Sequence, residues 1–271
     1  MNTSNIAAGP KARRSSTPRV TLLAFFALLA PWFAAWLLPP FAQPQSYHDY
    51  ADQRFWLGLP HAADVLSNLP FLAVGALGLH FVLHGWRTKN PAAFSDQRAA
   101  WPYALLFAGV VLTAFGSVWY HAQPNDATLL WDRLPMAFGF AGLVAGTLTD
   151  RAPQRILQWL FAFAAVGAGT VLYWHASGNL VPYLVMQAGF ITTALIATAW
   201  IPSRYTHANR IYAAAGLYAV AMIFEGLDHQ LYALLGGLIS GHTLKHLAAC
   251  AGIVVVYSML RARQLASVKR V

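Results

Sequence analysis

The sequence reads as an all-α, polytopic membrane protein of eight transmembrane helices, on three grounds. Of 271 residues, 58% are hydrophobic and only 10% charged, against roughly 25% charged in a typical soluble domain, and the mean hydropathy is +0.47. Apolar stretches close to the roughly 20 residues needed to cross a bilayer recur along the chain. The basic residues are placed as one topology requires.

The stretches lie at about 20–40, 65–86, 101–121, 129–149, 155–175, 181–201, 209–231 and 240–260. The first follows Lys11, Arg13, Arg14 and Arg19, as a secretory signal would. Its run from Val20 to Phe41 is too long for a signal core and ends in Leu-Pro-Pro-Phe without a small-x-small cleavage site, so a retained helix is expected. The second carries His80 and His84 toward its cytoplasmic end with no carboxylate nearby, and structural or interfacial roles are expected for them. The third ends at His121. The fourth begins near Asp132, after the turn residues Pro124, Asn125 and Asp126. Trp119, Tyr120, Trp131, Trp174 and Tyr183 fall at proposed outer interfaces, where amphipathic rings are stabilised between hydrocarbon and headgroups. The seventh stretch ends among Glu225, Asp228 and His229, either a structural network or the periphery of a site. The eighth opens with His242 and His246 and contains Cys250, which has no second cysteine to pair with and is expected to pack.

With the N-terminus in the cytoplasm, eight crossings put 15 of the 18 basic residues on the cytoplasmic side and leave only Arg54, Arg133 and Lys245 at the other. The formal charge of +9 then spreads over the face where anionic lipid is an adequate counterpart. No Walker loop, dinucleotide fingerprint or basic-aromatic repeat points to nucleic acid. Asp49, Asp52, Asp64, Asp126, Asp132, Glu225 and Asp228 all fall on the outer half, leaving Asp96 and Asp150 inside, so the outer side reads as the working side. The organisation expected is a basic tail at 1–18, a first helix at 19–41, a seven-helix domain at 45–260 and a basic tail at 261–271. Both tails would be cytoplasmic and the site would face the periplasm if the membrane is the bacterial inner membrane.

Residues four apart share a helix face, so His242 and His246 can hold one metal ion while His121 supplies a third nitrogen from another helix. His80 and His84 show that the spacing alone is weak evidence. Helix polarity adds to it: the third helix runs outward to His121, the eighth runs inward from His242, and all three histidines reach one depth. Ser117 lies one turn deeper than His121, able to bond a ligand, a water or a substrate oxygen, or simply a backbone carbonyl. Asp132 can face the same cavity as a proton acceptor, or pair with Arg133 at the interface.

Four segments carry a family resemblance: Asp-Val-Leu-Ser-Asn-Leu-Pro-Phe-Leu (64–72), Gly-Ser-Val-Trp-Tyr-His (116–121), Trp-Asp-Arg-Leu-Pro-Met (131–136) and His-Thr-Leu-Lys-His (242–246). Together they resemble the alkaline ceramidases, part of a wider membrane superfamily often called CREST that includes adiponectin-type receptors. The resemblance implies a seven-helix bundle, here preceded by one extra N-terminal helix. It implies zinc held by His121, His242 and His246, with Ser117 and Asp132 as catalytic residues. The implied reaction is hydrolysis of the amide of ceramide to sphingoid base and fatty acid. Animal members also bind calcium through an acidic segment that is poorly preserved around 47–64. Asp52 and Asp64 offer oxygen ligands, but His61 stands near a position where the family favours glutamate. The alternative from another class is a non-enzymatic receptor or structural zinc protein of the same superfamily.

Overall fold

The computed structural model describes residues 16–90, 93–94, 96–152 and 156–266. Lys11, Arg13, Arg14, Arg155, Lys269 and Arg270, with most of the two basic tails, lie outside the described residues. Ten α-helices follow one another: α1 (Thr17–Leu37), α2 (Ala62–Leu66), α3 (Leu69–Arg87), α4 (Trp101–Ala122), α5 (Asp126–Thr149), α6 (Ile156–Ser177), α7 (Val181–Trp200), α8 (Arg210–Gly226), α9 (Asp228–Leu234) and α10 (Gly241–Ala262). No sheet forms among the described residues, only isolated bridges.

Local signals explain several of the starts. Pro18, Pro70, Pro102 and Pro182 sit in the first turns of α1, α3, α4 and α7, where a fixed φ favours the helix and the missing N–H had no partner to lose. Asn125 caps α5 by accepting from the N–H groups of Ala127 and Thr128 at 2.9 and 3.0 Å. Ser240 caps α10 through the Thr243 N–H at 2.9 Å.

Six of the described spans are long and apolar enough to cross a membrane, and the pair α8 and α9, bent by 79°, makes a seventh if taken as one. The remaining helix of the eight expected is α5. Its 24 residues are long enough, but it carries Asp126, Asp132 and Arg133 and is absent from the apolar set. Its position accounts for this: α5 packs against α4, α6 and α7, so protein rather than lipid surrounds most of it and the apolar requirement relaxes. By contrast α1 lies against α7, burying Val20, Ala24, Ala27 and Pro31 on one face while Phe25, Phe26, Phe33 and Trp36 stay exposed.

The contact of α4 with α5 is the closest in the bundle. A Cβ on Gly116 would lie 2.0 Å from the Trp131 carbonyl oxygen, and one on Gly142 would lie 2.5 Å from the Pro102 oxygen. Only hydrogen fits there, so the backbones touch. At the other end of the bundle, the Arg151 guanidinium donates to the carbonyls of Ala197 and Ile201 at 2.9 Å each and of Thr147 at 2.6 Å, satisfying the last turn of α7.

The interfacial placement of the aromatic rings needs correction. Trp119 and Trp131 are exposed and stacked on each other, with centroids 6.1 Å apart. Tyr120, Trp174 and Tyr183 are buried. Trp174 and Tyr183 enclose the Arg133 guanidinium, at 4.4 and 5.1 Å from their centroids. A cation inside the bundle needs that company.

Gly116→Ala should therefore lower stability by about 1–3 kcal/mol through overpacking, measured by thermal unfolding in detergent. Gly189→Ala, mid-helix in α7 and with nothing within 4 Å of the added Cβ, should instead raise it by up to about 1 kcal/mol.

Candidate metal centre

Three attachments assemble one end of the bundle. The approach at Gly116 sets the first turns of α5 beside the last turns of α4, with Ser117 next to the contact and the Asp132 N–H within it. Asp228, at the break between α8 and α9, accepts from the His242 N–H at 2.7 Å with one oxygen and from the Ala51 N–H at 2.9 Å with the other. One carboxylate thus pins both the start of α10 and the strap of chain between α1 and α2. Gly241 permits this, because a Cβ there would lie 2.3 Å from the Phe224 carbonyl oxygen. Asp52 ties the strap to α2, accepting from Arg54 Nε at 2.5 Å and from the Ala63 N–H at 3.0 Å.

His121, His242 and His246 converge there. Their ring centroids are 4.7, 5.0 and 4.8 Å apart, all three are buried, and one nitrogen from each lies within 4.8 Å of the others. Neither ring nitrogen of His121 has a hydrogen-bond partner, nor does Nε2 of His242. An imidazole always carries at least one N–H, and leaving such buried groups unpaired costs about 1–3 kcal/mol apiece. A shared metal ion uses the lone pairs, so the donor set fits one.

The hydrogen bonds also decide which His246 nitrogen is free. The Ser67 hydroxyl donates its single proton to the Asp64 carbonyl at 2.8 Å and lies 2.7 Å from His246 Nδ1. Nδ1 must then be the donor to Ser67, which leaves Nε2 with a lone pair for the metal. Asp64 holds the same corner: its Oδ1 accepts from Ser240 at 2.9 Å and from Thr243 Oγ1 at 2.6 Å, lashing α2 to the start of α10.

Asp132 and Ser117 are both buried, and the serine hydroxyl lies against the carboxylate. Asp132 does not pair with Arg133, which donates instead to Gln43 Oε1 at 2.6 Å. The Lys245 ammonium acts on its charge more strongly than Arg133 does, and is itself bonded to Glu225, which accepts from the Tyr47 hydroxyl at 2.9 Å as well. His229 donates to or accepts nothing at the centre: its Nε2 meets the Asp49 carbonyl at 3.0 Å. His80 and His84 are exposed on α3 and stack on each other. Cys250 is buried in an apolar cluster. Asp52 and Asp64, the oxygen ligands considered for calcium, are engaged separately by Arg54 and by two hydroxyls. Among the described residues the histidine trio is the one group of three or more metal-capable side chains.

Sequence reasoning did not find Ser67, Tyr50 or the partnership of Lys245 with Glu225. Lys245 stands between the two histidines of α10, but no spacing links it to a carboxylate on another helix.

No protein-family model matches the chain, and no curated protein is significantly similar to it. The molecule is a helical, polytopic membrane-like protein with a buried three-histidine cluster able to hold a metal ion, as a metal-dependent membrane hydrolase requires.

Replacing His242 and His246 by alanine should abolish metal retention, read by elemental mass spectrometry on the purified protein. Ser67→Ala should weaken metal affinity by about 10–100-fold, the usual cost of losing a residue that orients a ligand, read by chelator competition. Burial raises the Asp52 carboxyl, but its bonds with Arg54 and the Ala63 N–H outweigh this and hold it below the usual value. Its stabilisation is complete above the ordinary carboxylate pKa of about 4 and is lost as pH falls through the depressed one. Asp52→Asn should flatten that acid dependence in a series of melting curves and cost about 2 kcal/mol at neutral pH.

Proposed function

We propose that this chain is a zinc-dependent intramembrane hydrolase that cleaves the amide bond of ceramide or a related lipid and releases the fatty acid. The observation that carries this reading is the buried trio of His121, His242 and His246, able to hold one metal ion; a buried carboxylate, Asp132, and the Ser117 hydroxyl one turn before His121 on α4 support it, since three histidines leave a zinc ion room for a further ligand. Zinc bound there would polarise a carbonyl and make water more acidic. Three histidines fit it better than they fit a hard, oxygen-seeking ion.

The remaining chemistry belongs to the chain. Asp132 accepts a proton from the attacking water, and the hydroxyl oxygen adds to the carbonyl carbon. As the carbon–nitrogen bond breaks, the same proton passes to the departing nitrogen, so the products are a fatty acid and an amine. Ser117, on the neighbouring turn of α4, orients the carboxylate while that is ionised and turns its single proton to the developing negative charge once Asp132 has taken the proton of the water. Lys245 offers Asp132 a positive charge without occupying it, because the ammonium is already bonded to Glu225.

A long acyl chain also has somewhere to lie. An apolar cavity lined by Phe71, Thr113, Met136, Phe140, Ala249 and Ile253 begins about one turn below Ser117, Asp132 and His246. It continues to Leu106 and Val256, about 10 Å further along α4 and α10 at 1.5 Å per residue. This fits a lipid amide rather than a small polar one. The ceramide class itself rests on the resemblance of the four sequence segments.

The test is mass-spectrometric detection of fatty acid released from a panel of ceramides and other N-acyl lipids by zinc-loaded protein. Asp132→Asn should keep its metal yet lose about 10²–10⁴-fold in kcat. Full turnover by that variant across pH would overturn the role of Asp132. Saturable lipid binding with no metal-dependent product would favour the receptor reading instead.

A further inference from the structure

One buried polar group beside the histidines has no use in the reaction just described. Tyr50, on the strap, is 2% exposed. Its ring packs against those of both His121 and His242, with centroids 4.8 and 4.6 Å away, and its hydroxyl has no hydrogen-bond partner. The Tyr120 hydroxyl lies close to it but not in the geometry of a hydrogen bond, and is turned instead to His48 Nδ1 at 2.9 Å, with His48 held in turn by Asp126 at 3.1 Å. A phenylalanine would fill the same space without burying an unpaired O–H.

The strap holds this hydroxyl firmly in place. The Asp49 carbonyl is bonded by His229, the Tyr50 carbonyl accepts from Gln53 at 2.6 Å, and the Ala51 N–H is bonded by Asp228. Tyr50 and His242 together line a vestibule of about 340 Å³, so a ligand arriving at the histidines by that route meets the tyrosine at the same moment.

We propose that Tyr50 is a further catalytic residue, its phenolic O–H donating a hydrogen bond to an oxygen of the ligand held at the histidine centre. If the hydrolase reading holds, that oxygen is the lipid carbonyl oxygen, and the bond strengthens as negative charge grows on it. The contact itself rests only on a metal-held ligand that presents an oxygen. No covalent bond to Tyr50 forms and its proton stays on the phenol.

Tyr50→Phe keeps the ring against His121 and His242 and removes only the hydroxyl. Two measurements on zinc-loaded wild type and variant test the proposal: calorimetric affinity for a straight-chain alkyl hydroxamate, and steady-state hydrolysis of ceramide. With metal content unchanged, the variant should bind the hydroxamate about tenfold more weakly, the worth of one hydrogen bond. Its kcat should fall about a hundredfold with KM little altered, as for loss of one oxyanion donor. Equal affinity and equal kcat would overturn the proposal, as would loss of zinc from the variant, which would show a packing role. A wild type that binds the hydroxamate in a Tyr50-dependent way but cleaves no lipid amide would defeat the hydrolase reading and leave this contact standing. Cleavage that Tyr50→Phe leaves intact would do the reverse.

Discussion

A helix bundle in lipid has no water to satisfy polar groups that its interior takes in, and that constraint shapes everything at the histidine end of this protein. The side chains gathered there are unusually polar for such surroundings. Almost all of them are answered by a partner on a different element: Asp228 by α10 and the strap, Asp52 by α2, Asp64 by two hydroxyls of α10, Glu225 by Lys245 and Tyr47. The unanswered atoms are then informative. Besides Asp64 Oδ2, Asn68 Oδ1 and Arg133 Nη1, they are both ring nitrogens of His121, Nε2 of His242 and the Tyr50 hydroxyl, a group that an ion and its ligand would complete.

This division of labour separates scaffold from chemistry among residues of the same type. Asp228, Asp52 and Asp64 are buried carboxylates like Asp132. The first three spend oxygens on backbone N–H groups and hydroxyls and so serve as clamps. Asp132 makes no such tie to a backbone N–H among the described residues, and the Ser117 hydroxyl lies against it. Arg133, next to it in sequence, is withdrawn into an aromatic box and bonds Gln43 instead of Asp132.

Much of this was legible in the sequence. Helix lengths and most boundaries followed from runs of apolar residues, and α5 departed from the apolar pattern because its neighbours are helices rather than lipid. His121, His242 and His246 could be read from a four-residue spacing and from helix polarity, both of which are local or additive properties. Ser67, Tyr50 and the pairing of Lys245 with Glu225 could not, since each acquires its meaning from a residue on a separate element. The same limit explains the aromatic rings. Trp174 and Tyr183 have the composition of interfacial anchors, and only the arrival of Arg133 from α5 reveals why they are inside.

The shared carboxylate of Asp228 also imposes an order on the making of the molecule. The strap and His121 belong to the first half of the chain, yet the group that fastens the strap lies beyond α8, and the other two histidines lie on α10. While the chain is being synthesised, its early helices must therefore wait in the membrane with an undocked strap and a solitary histidine. A metal ion could be held by all three histidines only after the last helix has entered, so metallation would mark the end of assembly, and a chain interrupted before α10 would offer it His121 alone.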